Sequence, residues 1–175
     1  MLMYLTDDRE RGDQVDKHEY ADRVEQIKAR LYRIALLHSG NEAIALDAVS
    51  EAVYRGLISI KKLRQPEYFE TWMTRILINE CNKLWRRVKR EQPLESVPET
   101  ADDEQAYENL PLKEAIRQLP TELKDVVILR YYADFTLTET AKSLNIPQGT
   151  VVTRQRRALK LLKLELLEEE SDNES

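Results

Sequence analysis

"TAKSLNIPQGTVVTRQRRALKLLK", Thr140–Lys163, ends in sixteen residues of one-sided charge. From Gln148 to Lys163 five side chains are basic (Arg154, Arg156, Arg157, Lys160 and Lys163) and none is acidic. The chain that carries it is acidic: 175 residues with a formal net charge of −5 and an isoelectric point near 5.3. A helix-turn-helix accounts for the contrast. Such a motif needs a small residue where its two helices cross, and Ala141 stands there. It needs a tight turn, and Asn145 tolerates the left-handed backbone. It needs apolar clamps, which Leu144, Ile146 and Val151 supply. Thr150, Thr153, Arg154 and Arg157 then share one face within two turns. Arg and Lys on such a face neutralise phosphates, and an Arg held over a base edge grips guanine with two hydrogen bonds. A solvated basic helix end, favoured by the helix dipole, explains the charge but neither Ala141 nor the turn.

The segments upstream are also helical in spacing, with only four glycines in the whole chain. The fold class expected is all-α: two small helical domains joined by a flexible acidic linker, the second containing the helix-turn-helix. Val24, Ile27, Leu31 and Ile34 predict a helix over Asp22–His38. Gly40 ends it, and Asn41 caps the next. That next helix is expected from Glu42 to about Lys62, with Leu46, Val49, Val53, Leu57 and Ile60 as its apolar stripe. Pro66 opens a third helix, expected over Glu67–Arg90 with Phe69, Met73, Ile76, Leu84 and Val88 on one side. From Glu91 to Glu108 the chain has seven acidic residues, no basic ones and two prolines, a composition that buries little and repels itself. The division expected is a mobile segment 1–16, a first domain 17–91, a linker 92–108, a second domain 109–167 and an acidic tail 168–175.

The third helix carries a second basic surface. Residues 72–90 hold six basic side chains against the single acid Glu80. Trp72 and Trp85 are too far apart in register for one narrow stripe, which predicts one in the core and one at a surface. Cations interleaved with aromatic rings and with Asn79 and Asn82 suit single-stranded nucleic acid, whose bases stack on rings while the backbone follows the charge. An amphipathic core helix with a wet basic edge is the competing reading.

Other chemistries fare poorly. Cys81, His18 and His38 have no zinc spacing, and no Ser, His or Cys has a partner placed for nucleophilic work. No apolar run approaches the roughly 18 residues of a membrane span. The opening residues turn polar too soon for a secretory signal. A lone cysteine suits a reducing cytoplasm. No enzyme activity, cofactor, metal or small-molecule substrate is expected, and the expected location is cytoplasmic.

Three blocks in order, "YRIALLHSGNEAIALDAVSEAVYRGL", "FETWMTRILINECNKLWRRVKR" and "AIRQLPTELKDVVILRYYADFTLTETAKSLNIPQGTVVTRQRRALKLLK", resemble the extracytoplasmic-function group of bacterial RNA polymerase sigma factors. The resemblance runs from about Tyr20 to Leu167. It implies a protein that binds core RNA polymerase, at the clamp of the largest subunit and at the flap, and directs it to promoter DNA. Asp47, Val49, Ser50, Glu51 and Tyr54 occupy the polymerase-binding positions; Ser50 stands where the family usually has Gln. The loop with Arg64, Gln65 and Tyr68 corresponds to the pocket for a flipped −10 base. Trp72, Arg75, Asn79, Asn82, Arg86 and Arg87 correspond to the surface that melts and holds the −10 region. Thr150, Val152, Thr153, Arg154, Arg156, Arg157 and Lys160 correspond to the −35 reader. Val152 replaces a residue that is often basic. Gln155 stands at a usually apolar position, either at the rim of the core or turned toward DNA. Such factors are commonly held by an anti-sigma protein, often one anchored at the inner face of the membrane. The rival expectation is a helix-turn-helix repressor or activator that is no polymerase subunit; it leaves the Trp- and Asn-bearing helix unexplained.

Overall fold

The computed structural model describes residues 15–91 and 110–173. The acidic connector and the first fourteen residues lie outside them. The first bundle consists of α1 (Lys17–Ser39), α2 (Glu42–Ser59) and α3 (Phe69–Glu91). Two short 3-10 turns, Ile60–Lys62 and Pro66–Tyr68, join α2 to α3. The second bundle consists of α4 (Leu110–Gln118), α5 (Thr121–Val127), a π-helical turn at Ile128–Tyr132, α6 (Leu137–Leu144) and α7 (Gln148–Asn173). No strand occurs among the described residues.

α1 begins a turn and a half before the expected Asp22. Asp16 caps it, accepting from the backbone N–H groups of His18 and Glu19 at 2.8 and 2.9 Å, so two orphan donors of the first turn are satisfied. Val15, expected to be mobile, is buried. At the other end Gly40 takes φ +67°, the left-handed conformation that ends the helix. α7 runs on to Asn173, past the expected end at Leu167. Its last stretch is rich in Leu and Glu, good helix formers, with no Gly or Pro to stop it.

α2 corrects the expected stripe. Its buried face is Ala45, Ala48, Val49, Ala52 and Gly56, while Leu46 is 50% exposed and Leu57 37% exposed. Small residues let α1 and α3 approach the α2 backbone closely. A Cβ on Gly56 would meet the Tyr20 hydroxyl and lie 2.6 Å from Met73 Sδ. α3 buries Phe69, Met73, Leu77, Ile78 and Cys81, with Thr74 and Glu80, instead of Ile76, Leu84 and Val88, which are only half-buried. Glu80, the one acid of this basic helix, is 4% exposed. It binds Lys83 Nζ at 2.7 Å and Arg55 Nε at 3.0 Å, tying α2 to α3. Neither tryptophan takes an extreme position: both Trp72 and Trp85 are half-buried.

The two bundles pack against one another, α1 on α4 and on the π-helical turn, and α3 on α6. Arg30 of α1 donates to the Ala133 carbonyl and pairs with Asp134 at 3.6 Å. This places the basic face of α3 beside the helix-turn-helix.

Candidate nucleic-acid interface

The helix-turn-helix is α6, a left-handed Asn145 and α7. Thr136 caps α6 in a reciprocal capping box: Glu139 N–H donates to Thr136 Oγ1 at 3.2 Å, and Thr136 N–H donates to Glu139 Oε2 at 2.7 Å. The Thr136 backbone N–H, and next its hydroxyl, hold the Glu139 carboxyl below its ordinary range. Asn145 at φ 54° closes the helix, and Ile146 N–H donates to the Ala141 carbonyl at 3.0 Å. Gln148 Nε2 donates to Thr138 Oγ1 at 2.8 Å and ties the start of α7 back to α6. Inside, Ala141, Val126 and Val151 form a small core, with Leu137, Leu144 and Ile146 packed on it. The clamp residues therefore sit as expected.

On α7, Gly149, Thr150, Thr153, Arg154 and Arg157 line one cleft with Glu122 and Leu123. At 100° per residue, Lys160 extends this face by a further turn. Arg156 is exposed on the flank, and Val152 lies further round still. The Thr153 hydroxyl donates to the Gly149 carbonyl at 2.9 Å. Gln155 settles at the rim: its Nε2 donates to the Tyr131 hydroxyl at 2.8 Å, away from the basic face. Arg154 Nη2 approaches Glu122 Oε2 at 3.4 Å.

On α3, spacings of three and four place Trp72, Arg75, Asn79, Asn82 and Arg86 on a single stripe. Arg87, though exposed, drifts off it by about a quarter turn. Trp72 packs beside Phe69, ring centroids 6.0 Å apart. The loop before α3 presents exposed Arg64, Gln65 and Tyr68. Arg23 Nη1 donates to the Pro66 carbonyl at 2.7 Å and fixes that loop to α1.

On α2, Asp47, Ser50 and Tyr54 are exposed, and Tyr54 is 59% exposed beside Ile58 at 64%. Glu51 pairs with Arg55 at 2.7 Å. Val49 points into the core at 9% exposure, so it supports this face from beneath and offers no contact surface.

Sequence reasoning missed the residues that join the two sites. Asp125 on α5 is 6% exposed. Its Oδ2 accepts from Asn82 Nδ2 at 2.9 Å, and its Oδ1 lies 3.0 Å from His38 Nε2. Lys124 Nζ stands 5.3 Å over the Trp85 ring, and Lys142 Nζ 5.4 Å over the Tyr68 ring. Burial, above all, lowers the Lys124 pKa. These pairs are separated by tens of residues and no local pattern announces them. The one available signal was polar side chains, His38 and Asp125, at positions that helical spacing turns inward.

Comparison with known proteins gives this geometry a family. The sigma-70 region 2 model matches residues 23–91 and the sigma-70 region 4 model matches residues 115–164. The RNA polymerase sigma factor SigV of Bacillus subtilis is 32% identical over 148 residues, 82% of this chain and 88% of SigV. The ECF RNA polymerase sigma factor SigW of the same organism is 29% identical over 169 residues, 86% of this chain and 90% of SigW. Among solved structures, the sigma factor RpoE of Bartonella quintana, crystallised with the anti-sigma factor NepR, shares the fold with a TM-score of 0.73 at 20% identity, covering 85% of this chain and 96% of that one. CnrH in complex with the cytosolic domain of CnrY gives 0.68 at 18% identity, covering 86% and 89%.

A region 2 bundle followed by a region 4 helix-turn-helix defines a DNA-binding transcription initiation factor. The chain belongs to the extracytoplasmic-function group of RNA polymerase sigma factors. It is an alternative sigma factor that directs transcription initiation, with RNA polymerase and promoter DNA as its partners. Among the described residues no helix is long and apolar enough to cross a membrane.

Proposed function

We propose a division of labour between the two surfaces. The α7 face binds the −35 element as duplex, with Thr150, Thr153, Arg154 and Arg157 at base edges, Lys160 and Arg156 on flanking phosphates, and Val152 making no polar contact. The α3 stripe, Trp72, Arg75, Asn79, Asn82 and Arg86, with Arg87 at its margin, holds the opened −10 strand. Arg64, Gln65 and Tyr68 in the loop before it receive a flipped base. The outer face of α2, Asp47, Ser50, Glu51 and Tyr54, docks on the polymerase clamp, and the second bundle on the flap. Leu46, Leu57 and Ile58 supply the apolar area that an interface needs at its centre.

The observation that carries this reading is the α3 stripe. A tryptophan, two asparagines and two arginines at one angular position combine a stacking ring, amides for base edges and cations for phosphate, the set single strands require. A repressor acting on duplex DNA has no use for it. The protein works in the cytoplasm without enzymatic activity, and an anti-sigma protein, sometimes tethered to the membrane, covers it until needed. The sigma factor RpoE was solved with the anti-sigma factor NepR, and CnrH with the cytosolic domain of CnrY.

Run-off transcription with purified core polymerase and a promoter library tests the reading. Promoter-specific transcripts that depend on this protein are expected. Tight duplex binding by the free protein, with no transcripts and no association with core, would establish the repressor instead.

A further inference from the structure

The loop that joins α2 to α3 is held together locally by weak means. Its two 3-10 turns close on short-range backbone bonds, Leu63 N–H to the Ile60 carbonyl at 3.0 Å and Tyr68 N–H to the Gln65 carbonyl at 3.1 Å. Such turns have poorer hydrogen-bond geometry than an α-helix. Buried Leu63 and Phe69 anchor the two ends, while Arg64, Gln65 and Tyr68 between them are exposed. Arg23 of α1 supplies a hold from outside the loop. Its Nε and Nη2 both bind Glu19 Oε1, at 2.9 and 2.7 Å. That leaves Nη1 for the Pro66 carbonyl, which it reaches at 2.7 Å across 43 residues of sequence. The same carbonyl accepts from Phe69 N–H, the bond that closes the second turn. The guanidinium carbon lies 5.6 Å from the centre of the Phe69 ring. That ring packs on Tyr20 and Trp72, with centroids 5.6 and 6.0 Å away. All three guanidinium nitrogens and one face are thus engaged within the first bundle.

We infer that Arg23 is a positioning residue for the flipped −10 base, holding the loop in the shape that receives the base without itself touching DNA. The inference rests on the proposal that Arg64, Gln65 and Tyr68 form that receptor. Bases are discriminated only when their partners stay within about 0.5 Å of the productive geometry. Exposed side chains on a loop of two short turns do not hold themselves so closely. Pinning the Pro66 carbonyl fixes the backbone between Gln65 and Tyr68, and with it the directions in which those two side chains leave the chain. Glu19 shares the role, since it orients the guanidinium so that Nη1 faces the carbonyl. Lysine is no substitute for Arg23, because one ammonium lacks the planar fork that spans a carboxylate and a carbonyl while lying on a ring. The arrangement acts on selectivity. An arginine on phosphate strengthens binding to every sequence alike, whereas a held loop changes the preference at a single position.

The test uses holoenzyme assembled from core polymerase and the full chain, transcribing a promoter library randomised across the −10 element. Gln65→Ala and Tyr68→Ala should flatten base preference at one −10 position, which identifies the flipped base. Arg23→Ala should flatten the same position by about fivefold, the scale of one hydrogen bond. Preference at the other −10 positions and at −35 should stay, and the salt slope of promoter binding should match that of the wild-type protein. Arg23→Lys should behave as Arg23→Ala does. Glu19→Gln, at an exposed site, should flatten the position in the same direction by a smaller factor. Adding Gln65→Ala to Arg23→Ala should cost nothing further there. Full preference in Arg23→Lys, or a lowered salt slope in Arg23→Ala, would mark a phosphate contact and overturn the inference. Uniform loss across all positions would mark a purely structural role and overturn it as well. Unchanged preference in Arg23→Ala, with Gln65→Ala or Tyr68→Ala still flattening it, overturns the positioning role and leaves the loop assignment standing. If Gln65→Ala and Tyr68→Ala flatten no −10 position, the loop assignment itself fails.

Discussion

The Tyr20 hydroxyl donates to the Val53 carbonyl at 2.6 Å, next to the space that a side chain on Gly56 would occupy. Three helices meet at this point, and burial pushes the phenol up to about 12. Gly56→Ala should therefore destabilise the protein by about 1–3 kcal/mol through overpacking, even though Ala is the better helix former by roughly 1 kcal/mol. Tyr20→Phe should cost about 1 kcal/mol through the lost hydrogen bond. Urea denaturation of the two variants measures both. A stabilised Gly56→Ala would show that the close approach is not there.

Cys81 should be inert in the folded protein. Burial, and after it the negative charge of Asp125, pushes its thiol up to about 12, and the thiolate is the reactive form. Iodoacetamide at pH 8 should leave the native protein unmodified and label one thiol per chain in denaturant. Native labelling at the unfolded rate would contradict the packing of α3.

The start of the helix-turn-helix should loosen in acid. The Glu139 carboxyl lies below its ordinary 4.5, because it accepts from the Thr136 backbone and hydroxyl. For a carboxyl with a lowered folded pKa, the stabilisation is complete above 4.5 and is lost as pH falls through the folded value. Glu139→Gln should thus flatten the decline in stability below pH 4.5 and cost less than about 1 kcal/mol at pH 7, since the site is exposed. Thr136→Ala should cost about 1 kcal/mol at pH 7 and less in acid, where the Glu139 carboxylate that its hydroxyl serves becomes protonated. Denaturation curves at pH 7 and pH 4 measure both.

Arg154→Ala and Lys160→Ala should differ in kind. Loss of an arginine that reads a base edge costs about 1–3 kcal/mol and relaxes preference at one −35 position. Loss of a lysine on phosphate weakens all sequences alike and lowers the salt slope by about one. Competition between −35 variants at two salt concentrations distinguishes these outcomes. Identical behaviour of the two variants would remove the argument for base reading.

The helix-turn-helix was legible because its determinants are local: Ala141, the left-handed Asn145 and the clamp residues Leu144, Ile146 and Val151 lie within eleven positions. The packing of α2 was not. Helical spacing points to the large apolar residues as the core, whereas close helix approach selects Ala45, Ala48, Ala52 and Gly56 and leaves Leu46 and Leu57 outside. The stripe on α3 was half legible: spacing finds Trp72, Arg75, Asn79, Asn82 and Arg86, but not that Glu80 turns inward to hold Arg55 and Lys83. The contact of Asp125 with His38 spans 87 residues and needs the assembled bundles to exist.

The proposed division of labour has α7 gripping duplex DNA while α3 holds the opened strand. It is tested most directly by permanganate probing of unpaired thymines, beside protection footprinting, on one promoter with core polymerase and either wild-type protein or Asn79→Ala. The wild-type protein should give −35 protection and reactive −10 thymines. Asn79→Ala should keep the protection and lose most of the thymine reactivity. Equal loss of both signals, or full reactivity in the variant, would contradict the account.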